Sequence, residues 1–109
     1  MNKHCLLNLY GANRSKLDNL DLLLDLLKKS AYETGATYID SISKKFEPQG
    51  VTIVIMLSES HISIHTWPEK GEAMIDIFTC GDGVEPLWGV PLIVSDLQPD
   101  RYTMEMINR

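Results

Sequence analysis

HISIHTW, residues 61–67, alternates between polar and apolar side chains from His61 through His65. Successive side chains of a strand leave on opposite faces, so Ile62, Ile64 and Thr66 share one face and His61, Ser63, His65 and Trp67 the other. The runs on either side are strand-like too. VTIVIML (51–57) is a continuous β-branched run of the kind found in central strands. AMIDIFTC (73–80) places Met74, Asp76, Phe78 and Cys80 on one face. EPQG turns the chain before the first of these runs, and PEKGE turns it after HISIHTW.

The flanks complete a single domain over residues 1–109. HCLLNLY (4–10), closed by Gly11, reads as a further strand, as does ATYIDSISKKF (36–46). Between them lies SKLDNLDLLLDLLKKSAYETG, in which Leu17, Leu20, Leu24, Leu27 and Ala31 recur at helical spacing. Leu22, Leu23 and Leu26 widen that apolar stripe. Ser15 with Asp18 three residues on resembles a capping signal, and Gly35 is placed to end the helix. A second helix is expected to start near Pro91, which suits a first turn, and to end before Pro99. RYTMEMI then forms a last strand. The predicted fold is α+β, a two-layer sandwich of an antiparallel-rich sheet with two helices on one face.

Composition narrows the function classes. A chain of 109 residues supports one core. Its net charge of −5 opposes a nucleic-acid or anionic-membrane partner. No apolar run reaches the length of a membrane span, and the opening MNKHCLLNLYGANRS is too short in apolar residues for a signal peptide. Cys5 and Cys80 lie far apart with no CxxC pair, which points to free thiols in a reducing compartment, the cytoplasm.

SESHISIHTWPEKGEAMIDIFTCG, residues 58–81, carries more chemistry than a strand pair needs. Taken singly, each reactive residue has a common structural explanation: a turn serine, a solvated strand histidine, a buried cysteine acting as a small hydrophobe. Spacing identifies no metal site, because His61 and His65 lack a third ligand. No glycine-rich phosphate cradle or G-x-S-x-G elbow is present. A Ser/His/Cys set is compatible with nucleophilic chemistry, but composition and periodicity leave its kind open.

With LLNLYG, SAYETGAT and FEPQGVT, this stretch resembles the prokaryotic S-adenosylmethionine decarboxylases, small pyruvoyl-dependent enzymes of polyamine synthesis. Beyond Gly83 the likeness fades. The resemblance implies a proenzyme that cuts itself between Glu59 and Ser60 into a β chain, 1–59, and an α chain, 60–109. The Ser60 hydroxyl attacks the Glu59 carbonyl, an N→O acyl shift. β-Elimination leaves dehydroalanine, which hydrolyses to a pyruvoyl group and ammonia. That group forms a Schiff base with the substrate amine, so neither pyridoxal phosphate nor a metal is required.

By the same resemblance His65 moves protons during self-processing and Cys80 returns a proton to the substrate α-carbon. Thr52 matches a hydroxyl partner of the histidine, at a position where serine is usual, and its methyl group stiffens the rotamer. Phe46 and Trp67 match rings that stack on adenine, and Glu69 an acid that binds the ribose hydroxyls. The electron-rich ring faces also suit a sulfonium. The implied substrate is S-adenosylmethionine, converted to the aminopropyl donor of spermidine synthesis. The implied assembly is a homodimer with active sites near the interface, consistent with a sheet whose second face needs cover.

One geometric demand accompanies the resemblance. Ser60 and His65 have opposite parity, so one unbroken strand points them to opposite faces. Their convergence requires a kink or bulge near residues 58–61. Two other readings share the residues: a decarboxylase of ornithine or arginine, favoured if Phe46, Trp67 and Glu69 do not converge, and a non-catalytic dimerising regulator. Intact Ser60, His65 and Cys80 oppose the regulator.

Overall fold

A computed structural model describes residues 2–109. The strands are β1 (Asn2–Tyr10), β2 (Tyr38–Lys45), β3 (Val51–Leu57), β4 (Ser60–Trp67), β5 (Glu72–Cys80) and β6 (Arg101–Asn108). The helices are α1 (Arg14–Leu17), α2 (Leu20–Thr34) and α3 (Val90–Leu97), with single 3-10 turns at Pro68–Lys70 and Pro86–Gly89. The short links from β2 to β5 fold as successive hairpins, and β1 inserts between β5 and β6 to give the order β2-β3-β4-β5-β1-β6. Every pairing is antiparallel. The α+β class and the sheet-with-helices architecture are as the sequence predicts.

The alternation in the sequence becomes the two faces of this sheet. Leu7, Ile53, Ile55, Ile62, Ile64 and Ile77 are fully buried against Leu23, Leu27, Ile93 and Leu97 of the helices. Each such side chain contributes about 1.5–3 kcal/mol by leaving water, so this layer dominates the stability. The opposite face carries Thr52, Met56, His61, Ser63, His65, Asp76 and Phe78 and has no covering layer among the described residues. Ile42 and Met56 on it remain 73% and 56% exposed.

The long predicted helix is interrupted. Asp18 leaves helical geometry and its carboxylate instead accepts the Gly50 N–H at 2.8 Å and pairs with Lys45 at 2.9 Å, tying the helix start to the β2–β3 turn. The caps are therefore Asn13 for α1 and Asn19 for α2, each accepting a backbone N–H of its first turn, and Ser15 only donates to Asn13. Restarting at Leu20 resets the phase of the stripe. Leu23, Leu26, Leu27, Ser30, Ala31 and Thr34 face the core, while Leu20 and Leu24 are only partly buried.

Gly35 ends α2 at a φ of 89°, the left-handed geometry a glycine C-cap permits. Pro91 sits in the first turn of α3, where its missing N–H costs nothing, and α3 ends at Leu97. The preceding 3-10 turn packs so closely on α2 that a Cβ at Gly89 would lie 2.6 Å from Ser30 Oγ. That hydroxyl instead donates to the Gly89 carbonyl at 2.7 Å. Among the described residues no helix is long and apolar enough to cross a membrane.

Candidate active site

The sheet places the reactive residues at two ends. At the β3–β4 hairpin the pairing runs unshifted to Leu57 opposite Ser60, and the chain reverses through Ser58 and Glu59. Glu59 takes φ 62°, a left-handed conformation that costs a non-glycine residue about 1–2 kcal/mol. The interruption predicted near residues 58–61 is thus a two-residue turn, not a bulge. It leaves Ser60 with the parity of Ile62 and Ile64 and does not bring it to His65. Five residue steps along the strand separate the two, a rise of about 16 Å.

Cys80, the last residue of β5, spans the bond between Glu59 and Ser60. Its backbone N–H donates to Ser60 Oγ at 3.2 Å, and its thiol lies 3.0 Å from the Glu59 carbonyl oxygen and 3.9 Å from Ser60 Oγ. One N–H and one S–H are therefore directed at the nucleophile and at the carbonyl it would attack. The thiol, on the carbonyl oxygen, is placed to stabilise the oxyanion of an acyl shift, while the N–H orients the nucleophile.

At the opposite end His65 Nδ1 lies 2.8 Å from Thr52 Oγ1, its register partner on β3. The Trp67 ring is 6.4 Å from that of His65. Glu69 follows in the 3-10 turn, and Phe46 lies just beyond β2. Phe46 and Trp67 are 44% and 37% exposed, so both offer ring surface at this end of the sheet. A shallow cavity of about 460 Å³ reaches His65 from the open face, and Ser63, Met74, Asp76 and Glu105 line it, without Ser60 or Cys80.

Between the two ends lies a cluster that the sequence did not show. Asp76 Oδ1 is 3.0 Å from both His4 Nε2 and His61 Nε2, and Ser63 Oγ donates to Asp76 Oδ2. Burial opposes ionisation of Asp76, but the Ser63 and His4 hydrogen bonds and the His61 contact outweigh it and hold the carboxyl below its ordinary value. The lone acid in AMIDIFTC was a visible signal. The partner His4 comes from β1, and nothing in sequence spacing places it there. Cys5, on the core side of β1, is raised to about 11 by burial and then by the Glu85 carboxylate.

The profile described as S-adenosylmethionine decarboxylase matches residues 3–109. The chain belongs to the S-adenosylmethionine decarboxylase family. A relative from Parasynechococcus marenigrum named S-adenosylmethionine decarboxylase proenzyme is 42% identical over 98% of this chain and 84% of its own length. One of the same name from a Thermoanaerobacter species is 43% identical over 100% and 88%. The crystal structure of the adenosylmethionine decarboxylase from Aquifex aeolicus superimposes with a TM-score of 0.91, at 36% identity over 100% of this chain and 90% of that one. A Trypanosoma brucei AdoMetDC monomer shares the fold at 16% identity and TM-score 0.70, this chain spanning 44% of its length. Family and fold agree from the first strand to the last, and the match runs on through the tail beyond Gly83, where the likeness was expected to fade.

Proposed function

We propose that this family member decarboxylates S-adenosylmethionine with a pyruvoyl group made from its own Ser60. The observation that carries the reading is the double contact of Cys80 with the Glu59–Ser60 bond. The Ser60 hydroxyl adds to the Glu59 carbonyl carbon while the Cys80 thiol donates to the carbonyl oxygen. The C–N bond breaks, its nitrogen takes the hydroxyl proton, and an ester joins the two segments. Loss of the Ser60 α-proton then expels the Glu59 carboxylate, and water replaces the nitrogen, which leaves as ammonia.

The surroundings of Ser60 fit the group that results: a backbone N–H stands ready for a carbonyl oxygen, and the Cys80 thiol lies in van der Waals range. The ketone supplies the electron sink for loss of carbon dioxide. Cys80 Sγ then returns a proton to the substrate α-carbon, and the release of the decarboxylated sulfonium provides an aminopropyl donor.

His65 and Thr52 handle protons in processing, while Phe46, Trp67 and Glu69 bind the adenosyl group. Those five residues lie at the far end of the sheet from Ser60, and the uncovered face explains how they serve it. Two copies pack face to face about a two-fold axis perpendicular to the strands, an arrangement that sets the His65 end of one against the Ser60 end of the other. Each site then draws its pyruvoyl end from one copy and its aromatic end from the second. Burying Ile42, Val54 and Met56 supplies the apolar part of that interface. Two unpaired thiols suit the cytoplasm.

Intact mass spectrometry of purified protein, followed by carbon dioxide release from S-adenosylmethionine, ornithine and arginine, tests the reading. Two fragments meeting at residues 59 and 60, with release from S-adenosylmethionine, are expected. A single uncleaved mass after long incubation removes the catalytic reading, and release only from a basic amino acid removes the substrate.

A further inference from the structure

The geometry points to a binding site for a first-row transition dication of the zinc class, ligated by His4 Nε2, His61 Nε2 and Asp76 Oδ1. The mechanism proposed above uses none of these three groups, and their arrangement needs no cleavage of the chain. They come from three adjacent strands at the middle of the sheet, β1, β4 and β5. His4 and His61 are both register partners of Phe78, so the two imidazoles flank one phenyl ring. That ring meets His4 edge-on and stacks on His61, each at 5.6 Å between centroids, and so limits how either imidazole can turn.

The three ligand atoms lie within 4.8 Å of one another. Each nitrogen is 3.0 Å from Oδ1. Two donors about 2.1 Å from an ion and 3.0 Å apart subtend about 90°, the angle between neighbouring ligands of a five- or six-coordinate ion. A neutral imidazole presents Nε2 as a lone pair once its proton is carried on Nδ1, so no charged intermediate is needed. Ser63 holds the second carboxylate oxygen, leaving Oδ1 to the ion and fixing its direction. In the single chain the half-buried setting leaves further coordination positions to water.

Two imidazoles and one carboxylate select zinc, cobalt or nickel over magnesium and calcium, which prefer oxygen alone. His4 lies before the expected cleavage point and His61 and Asp76 after it. In a cleaved molecule the ion therefore ties the two fragments together across the sheet.

The test is a titration of tag-free, full-length protein, stripped with chelator, with Co²⁺ followed by visible d–d absorption and competed with Zn²⁺. Saturation at one ion per chain is expected, with no thiolate charge-transfer band. Affinity should fall at least about tenfold in His4→Gln, His61→Gln and Asp76→Asn and stay unchanged in His65→Ala and Cys80→Ser. Acid should weaken binding, because an imidazolium has no lone pair. Zn²⁺ should also raise the melting temperature of the parent protein but not of His4→Gln or His61→Gln, a readout that stands if Asp76→Asn folds poorly. No Co²⁺ uptake at millimolar metal overturns the site. So does uptake that survives both histidine variants, or a thiolate band that disappears with Cys80→Ser.

Discussion

The Cys80 thiol lies 3.0 Å from the carbonyl oxygen of Glu59. The side chain proposed to reprotonate the substrate thus also touches the carbonyl that the proposed self-cleavage attacks. Cys80→Ala should therefore slow two different steps. Self-cleavage should fall about tenfold, the modest loss expected of a weak thiol donor whose backbone N–H remains. Turnover of the fragments that do form should fall further. Cys80→Ser, which restores a donor of similar reach, should recover most of the cleavage rate and little of the turnover. A mass-spectrometric time course of freshly made chain reads the first, and carbon dioxide release per cleaved chain the second. Equal cleavage rates in all three proteins would remove the processing role.

Glu59 holds a left-handed conformation at the bond proposed for self-cleavage. Glycine adopts that conformation without the Cβ clash, at an entropic cost smaller than the relief. In a Ser60→Ala background that prevents cleavage, Glu59→Gly should stabilise the fold by about 0.5–1 kcal/mol, read as a rise of a few degrees in Tm. A lower Tm would show that Glu59 contributes contacts worth more than its strain.

Much of this site was legible because strand parity is a strict period. The two faces of β4 and β5 follow directly from HISIHTW and AMIDIFTC, and the motif residues Ser60, His65 and Cys80 fall where that parity puts them. The helix phase was not legible in the same way. Asp18 leaves the helix to hold Gly50 and Lys45, a tertiary contact that local spacing does not encode. The His4–His61–Asp76 cluster was hidden for a related reason. It depends on β1 inserting beside β5, and strand order across a sheet is not written in any one segment.

Cys5 and Cys80 should be separable by reactivity. The thiolate is the nucleophile, and Cys5 is fully buried with its thiol pushed up to about 11. Native protein treated with iodoacetamide near neutral pH should take one label, at Cys80, and denatured protein two. Native labelling of Cys5 would mean that the β1 core opens readily.

The distance between Ser60 and His65 within one chain makes a strong prediction for mixed assemblies. Ser60→Ala cannot be cut, and His65→Ala should cleave slowly, at least about a hundredfold below the parent if the imidazole acts as a general base or acid. Co-expressed, the two form mixed dimers in which the Ser60→Ala copy lends its His65 to the other. Rapid cleavage of the His65→Ala chain should then appear only in the mixture, read by intact mass. If that chain stays slow in confirmed mixed dimers, the composite site is wrong and each chain must process itself.

Asp76 gives the clearest pH dependence. Its carboxyl is held below the ordinary value in the folded chain, because the Ser63, His4 and His61 contacts outweigh the opposing burial. Folding thus lowers its proton affinity, and the stability it contributes is fully present above the unfolded value of about 3.9. That contribution is lost as pH falls through the lower, folded value. Asp76→Asn removes the anionic acceptor at every pH and leaves three half-buried donors poorly matched, which should cost about 1–2 kcal/mol near neutrality. Melting both proteins in chelator across the acid range checks the sign. The gap between them should narrow below about pH 4. A gap that widens below about pH 4 would mean that Asp76 is stabilised by its proton, the reverse of what its partners imply.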